Sequence, residues 1–263
     1  MAPTYLDRIL DAHRRAAATD ARDLDSVIDR ASQRDAAAGP VRGFAAALAR
    51  TGPIAVIGEV KRRSPSKGDL CPDLDPAAMA KAYEAGGARA LSVLTDPEFF
   101  GGSPEDLEAA RGACSVPVLR KDFTVTPLDV ADAAVMGADA VLLIVAALSD
   151  AELVELHALA RQLGLDALVE VHDEAELERA LAVGARVVGV NQRDLVSFEV
   201  DQDRAARLAP LIPVDVVRVA ESGVRGPDDA AALADVGYDA LLVGESLVTS
   251  PDPAAAVRAL LST

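Results

Sequence analysis

The sequence predicts an α/β fold: one (β/α)8 TIM-barrel domain, residues 1–263, with residues 1–50 as an N-terminal helical extension packed on it. Three observations carry this. Apolar runs of strand length recur about eight times after residue 54, helix-compatible segments separate them, and the alternation fills roughly 210 residues. Strict alternation requires parallel strands joined by right-handed crossovers, and eight such units fit a closed barrel better than an open sheet.

The extension comes first. Leu6, Ile9, Leu10 and His13 are spaced for one helical face, and Val41–Ala49 can form another helix. Too few large apolar side chains lie in this stretch to build a separate core. The first strand, Ile54–Lys61, ends in a carboxylate and an ammonium. Period two puts Glu59 and Lys61 on one face, roughly 7 Å apart. Two charges on so apolar a strand cost several kcal/mol each unless they pair or meet a charged ligand, by an order-of-magnitude argument. The following segment, Arg62 to Asp75, has no regular pattern and is long for a βα loop, which is the profile of an active-site lid.

From there the elements alternate. A helix over Pro76–Ala85 ends at Gly86-Gly87 and leads into strand Ala90–Leu94. Ser103-Pro104 is an N-cap with Pro at the first helical position, ahead of strand Val116–Arg120. Helix Pro127–Met136 and strand Ala140–Val145 follow, then helix Asp150–Leu163 and strand Ala167–Val171. Helix Glu174–Val183, strands Val187–Val190 and Val216–Ala220, helix Pro227–Val236 and strand Ala240–Val243 complete the series.

A formal charge of −16 excludes nucleic acid and anionic membrane as the main partner, since both demand a basic surface. No apolar run approaches the roughly 20 residues that span a bilayer, and Met1 to Arg15 lacks a signal-type apolar core. Cys71 and Cys114, the only two cysteines, are too few for a disulfide framework or a thiolate zinc site. A cytoplasmic protein, monomeric or weakly homo-oligomeric, is expected. His13 and His157 have no ligand partner at i+4, so no metal is expected.

In this architecture active sites form at the C-terminal ends of the strands. Unusual residues stand there repeatedly: Glu59 and Lys61 on the first strand, Lys121 after the third, Glu170 on the fifth, Asn191 and Arg193 after the sixth, Glu221 on the seventh. Any one is ordinary as a solvated strand end. Together they converge on one mouth, where burial and mutual repulsion shift pKa values as acid–base chemistry requires. Ser222-Gly223 and Gly244, at the ends of strands seven and eight, sit where this fold binds phosphate, and Arg63 and Ser64 of the first loop can add donors. Neither glycine run is a Walker or dinucleotide motif. His172 is assigned to the strand face opposite Glu170 and a structural role.

The stretches Glu59-Val60-Lys61-Arg62-Arg63-Ser64-Pro65-Ser66-Lys67-Gly68, Leu119-Arg120-Lys121-Asp122-Phe123, Val169-Glu170-Val171-His172, Gly189-Val190-Asn191-Gln192-Arg193-Asp194-Leu195 and Glu221-Ser222-Gly223 resemble the indole-3-glycerol phosphate synthase family, from about residue 5 to the end. The resemblance implies closure of 1-(2-carboxyphenylamino)-1-deoxyribulose 5-phosphate to indole-3-glycerol phosphate with loss of CO2 and water, without cofactor or metal. It implies Lys121 as general acid and Glu170 as the group handling protons during dehydration. Lys61 is implied near the substrate carboxylate, positioned by Glu59, and as a second candidate for the acid, with Asn191, Arg193, Glu221 and Ser222 completing the polar ring. Ser64, Gly223 and Gly244 match phosphate contacts, with Arg63 where a basic residue is common. Phe123, Leu142 and Leu195 suit an aryl-binding wall. Gln192, Leu128-Asp129 and Glu245 depart from the family pattern; a carboxylate at Glu245 repels phosphate unless it faces away. Two alternatives stand beside this: a sugar-phosphate isomerase of the phosphoribosylanthranilate isomerase kind, and a non-catalytic phosphate-binding barrel.

Overall fold

A computed structural model describes residues 4–33, 38–50, 52–65, 67–194 and 199–262. Eight parallel strands close into a barrel: β1 (Ala55–Val60), β2 (Ala90–Leu94), β3 (Val118–Lys121), β4 (Ala140–Ile144), β5 (Asp166–Val171), β6 (Val187–Asn191), β7 (Val217–Glu221) and β8 (Ala240–Val243). Each strand pairs with the next in the chain, and β8 returns to β1 with Ala55 opposite Ala240. All eight lie within two residues of their expected positions. The strands are buried nearly throughout because helices cover them outside and side chains fill the barrel inside.

The helices are α1 (Tyr5–Thr19), α2 (Leu24–Ser32), α3 (Phe44–Leu48), α4 (Pro76–Gly86), α5 (Pro97–Phe100), α6 (Pro104–Ala113), α7 (Pro127–Val135), α8 (Asp150–Gln162), α9 (Glu174–Ala182), α10 (Asp203–Leu208), α11 (Pro227–Asp235), α12 (Glu245–Val248) and α13 (Pro253–Leu261). Their starts obey local chemistry. Asp75 and Ser103 cap α4 and α6 ahead of Pro, while Thr126–Asp129 and Ser149–Glu152 form capping boxes on α7 and α8. The capping role of Asp129 gives the unusual Leu128-Asp129 pair a structural reason.

The extension grips both ends of the barrel. Phe44 and Leu48 of α3 are fully buried, and Ala45 N donates to Asp166 at the start of β5. Asp139, just before β4, is wholly buried and accepts from Arg42 N, Val118 N and the Arg111 guanidinium. Helix α1 reaches the other end, where His13 Nε2 lies 3.0 Å from Asp96 beyond β2.

The first loop corrects the sequence reading. It contains a two-residue antiparallel ladder, Arg63–Ser64 against Gly68–Asp69, too short to show as periodicity. Arg62 anchors its base by pairing with Asp106 and donating to Gly101 O and Leu74 O at 3.2 and 3.1 Å.

Candidate active site

A cavity of about 740 Å³ opens at the C-terminal ends of the strands. The six residues expected to do chemistry, Glu59, Lys61, Lys121, Glu170, Asn191 and Glu221, all line it. They reach one point because each sits at or next to the last residue of an inward-facing strand row. Lys121 is the hub: its Nζ is 2.7 Å from Glu170 Oε2 and 2.9 Å from Glu221 Oε2. Asn191 Nδ2 donates to the other Glu170 oxygen at 3.0 Å. Lys61, one residue past β1, pairs with Glu59 on the same face of that strand, as period two allows.

Two glycines make room. A Cβ at Gly189 would overlap Glu221 Oε1, and one at Gly244 would overlap Glu59 Oε1. Both carboxylates therefore depend on a missing side chain on the neighbouring strand. Ser222 has φ 65°, the one left-handed non-glycine residue among those described. Its Oγ donates to Asn191 Oδ1 at 2.8 Å, and Gln192 Nε2 holds its carbonyl at 2.7 Å. The atypical Gln192 thus braces the strained turn that leads into Gly223.

Electrostatics follow from burial plus neighbours. Burial alone would strip the Lys121 proton, but Glu170, Glu221 and Glu59 surround the ammonium and hold its pKa above the usual lysine value. Burial likewise raises a carboxyl pKa, yet Lys121, His172 and Asn191 keep Glu170 below the carboxylate range. Glu221 goes the other way. Burial and the charge of Glu170 raise it, and Lys121 offsets them only in part; its Oε1 has no hydrogen-bond partner among the described residues.

The expected phosphate and aryl contacts divide. Ser64, Arg193, Ser222, Gly223 and Gly244 line the cavity, as do Phe123 and Leu142. The Phe123 ring is held 5.5 Å from His13 and 6.4 Å from Phe100. Arg63 is not among the lining residues: its guanidinium turns to α5 and reaches Pro97 O at 3.5 Å, because the short ladder aims it away from the mouth. Leu195 lies outside the described residues. The Glu245 carboxylate is half exposed and 3.6 Å from Lys67 of the first loop.

Several participants escaped the sequence reading. Lys67 and Arg225 add positive charge at the rim. His172 does not face away from Glu170; its Nε2 is 3.6 Å from Glu170 Oε1, and period two alone could have placed residues 170 and 172 together. His13, Asp96 and Asp122 bring three potential metal ligands within 4.8 Å. Their atoms are already engaged: Asp122 accepts from Thr95, Arg120 and Phe123 N, and Asp96 from Phe99 N and His13. The cluster is a hydrogen-bonded clip.

Comparison with known proteins fits this site. The family model described as indole-3-glycerol phosphate synthase matches residues 6–260. An indole-3-glycerol phosphate synthase of Nocardioides sp. is 52% identical over 249 residues, covering 95% of this chain and 93% of the relative. An indole-3-glycerol phosphate synthase 2 of Streptomyces coelicolor is 55% identical over 208 residues, covering 79% and 80% of the two chains. Among solved structures, a thiamine phosphate pyrophosphorylase from Pyrococcus furiosus matches with TM-score 0.61 and 17% identity over 79% of this chain and 93% of that one, a likeness of fold alone.

Proposed function

Because the chain belongs to the indole-3-glycerol phosphate synthase family, it closes 1-(2-carboxyphenylamino)-1-deoxyribulose 5-phosphate to indole-3-glycerol phosphate with loss of CO2 and water, and we propose that Lys121 is the acid that starts the closure. One observation carries the assignment: Lys121 Nζ stands between Glu170 and Glu221 in a buried mouth and is held protonated there.

The aromatic carbon bearing the carboxylate attacks the ketone, whose oxygen must gain a proton as it becomes an alcohol. A charged lysine at that oxygen supplies it. Expulsion of CO2 restores the aromatic ring. The new hydroxyl then leaves as water, taking up a second proton, and the ring carbon beside nitrogen loses one. Glu170, kept ionised by its two donors, Lys121 and Asn191, and by the nearby His172, is the base for that last step. Per turnover two protons enter bonds and one comes off, so one is drawn from solvent.

Lys61 and Glu59 form the opposite wall. The substrate carboxylate replaces Glu59 on the Lys61 ammonium, which exchanges one ion pair for another and avoids burying an unpaired charge. Phe123 and Leu142 flank the aryl ring, and Ser64, Gly223 and Gly244 receive the phosphate, with Arg193 and Ser222 beside them. Glu245 also lines the cavity, and Lys67, 3.6 Å from its carboxylate, offsets its charge there.

The isomerase alternative is not favoured, since the family model and the named relatives are indole-3-glycerol phosphate synthases. A phosphorylated substrate and two free cysteines support a cytoplasmic location. Exposed large apolar side chains such as Val154 and Val214 are scattered, which supports a monomer or weak homo-oligomer. Purified protein given the substrate should yield a product with indole absorbance; binding without indole formation would refute the assignment.

A further inference from the structure

His172 stands one residue past β5, its ring between two carboxylates. Nδ1 is 3.0 Å from Glu176 Oε2, an oxygen that also accepts from the His172 backbone N at 2.8 Å. Nε2 is sealed from solvent, has no hydrogen-bond partner among the described residues, and faces Glu170 Oε1 at 3.6 Å.

A neutral imidazole carries one N–H. If it sits on Nδ1, a lone pair on Nε2 is aimed at the Glu170 carboxylate. If it sits on Nε2, the lone pair is aimed at Glu176. Only the imidazolium gives each carboxylate a donor. The charged groups facing the ring are Glu170 on β5, Glu176 on α9 and Arg204 on α10. Burial and Arg204 oppose protonation, but the two carboxylates prevail and the pKa lies above that of an ordinary histidine.

This bears on the moment when Lys121 discharges. Once its proton has gone to the ketone oxygen, Lys121 is a neutral amine, and the main counterion of Glu170 has disappeared inside a buried site. We propose that His172 is a positioning residue of the reaction: its imidazolium remains as counterion to Glu170 after Lys121 has given up its proton, keeping Glu170 an ionised base for the later removal of the ring proton. The balance closes. The C–H proton passes to Glu170, its bonding pair forms the indole double bond, and hydroxide leaves with the proton drawn from solvent. Glu170 then returns its proton across the 2.7 Å contact to Lys121. His172 loses none. The inference rests on the roles of Lys121 and Glu170 proposed above.

The test follows CO2 release and indole appearance separately in single turnovers, with kcat and KM measured against pH. In the unmodified enzyme, kcat should decline on the alkaline side of about 6.5, the ordinary histidine value, as His172 loses its charge. His172→Gln should remove that limb and lower kcat about tenfold or more. It should slow indole appearance while leaving CO2 release and KM within about twofold, a split that general loosening of the fold does not produce. Unchanged kcat and pH profile, or equal slowing of both steps, would overturn the proposal. Should that variant not fold, Glu176→Gln, at a partly exposed side chain, should move the alkaline limb to lower pH; an unmoved limb is equally fatal. Absence of indole from the unmodified enzyme would instead count against the assigned reaction.

Discussion

The Glu221 carboxylate occupies the space in front of Gly189, where even a single methyl group would overlap Oε1. Two strands are coupled by this absence: β6 gives up a side chain so that β7 can place an acid against Lys121. Gly189→Ala should therefore act on chemistry through Glu221. Overpacking costs about 1–3 kcal/mol, which a barrel of this size survives. Displacing Glu221, and Lys121 with it, should lower kcat about 100-fold, since misplacement by ~1 Å has that effect. Steady-state kinetics alongside thermal melting check this; a folded variant with normal kcat contradicts it.

At the opposite end of the barrel Asp139 should behave in the reverse manner. It is wholly buried and bonded to Arg111 at 3.1 Å, far from the strand ends that carry chemistry. Asp139→Ala leaves a buried guanidinium without its counter-charge, at a cost of about 3–5 kcal/mol. The melting temperature should fall on the order of 10 °C, with kcat at 25 °C changed by less than about twofold.

His13 ties α1 to the barrel mouth through Asp96. Burial lowers its proton affinity, but the Asp96 hydrogen bond and the charges of Asp122, Asp96 and Asp129 raise it further, so its net pKa is raised. A histidine raised in the folded state binds protons more tightly there than in the unfolded chain. Its contribution to stability is full below the unfolded value of about 6.5 and is lost as pH rises through the folded value. Denaturant midpoints should show this decline in the unmodified protein and lose it in His13→Gln. An identical decline in the variant would remove His13 as its source.

The barrel was legible because its evidence is local. Apolar runs, Gly-terminated helices and Pro-led caps mark the eight barrel strands and most of the helices between them, and period two sets Glu59 beside Lys61. The converging strand ends also pointed to the five polar residues that line the cavity with Lys121. What was hidden depends on distant contacts. The orientation of Arg63 is set by α5 and that of His13 by an aspartate 83 positions away, neither of which periodicity reports. The Arg63–Ser64 ladder is shorter than any pattern. His172 was misplaced although the alternation of strand side chains puts it with Glu170, and its unpartnered nitrogen needed coordinates to be seen.

The central claim is that Lys121 gives the first proton and Lys61 holds the substrate carboxylate. The most direct measurement is kcat and KM for Lys121→Ala and Lys61→Ala, followed by indole absorbance. Lys121→Ala should lose at least about 1,000-fold in kcat, within the range of general-acid removal, with KM changed little. Lys61→Ala should chiefly raise KM. A Lys121→Ala enzyme that retains near-normal kcat, with the large loss falling on Lys61→Ala instead, would contradict the assignment.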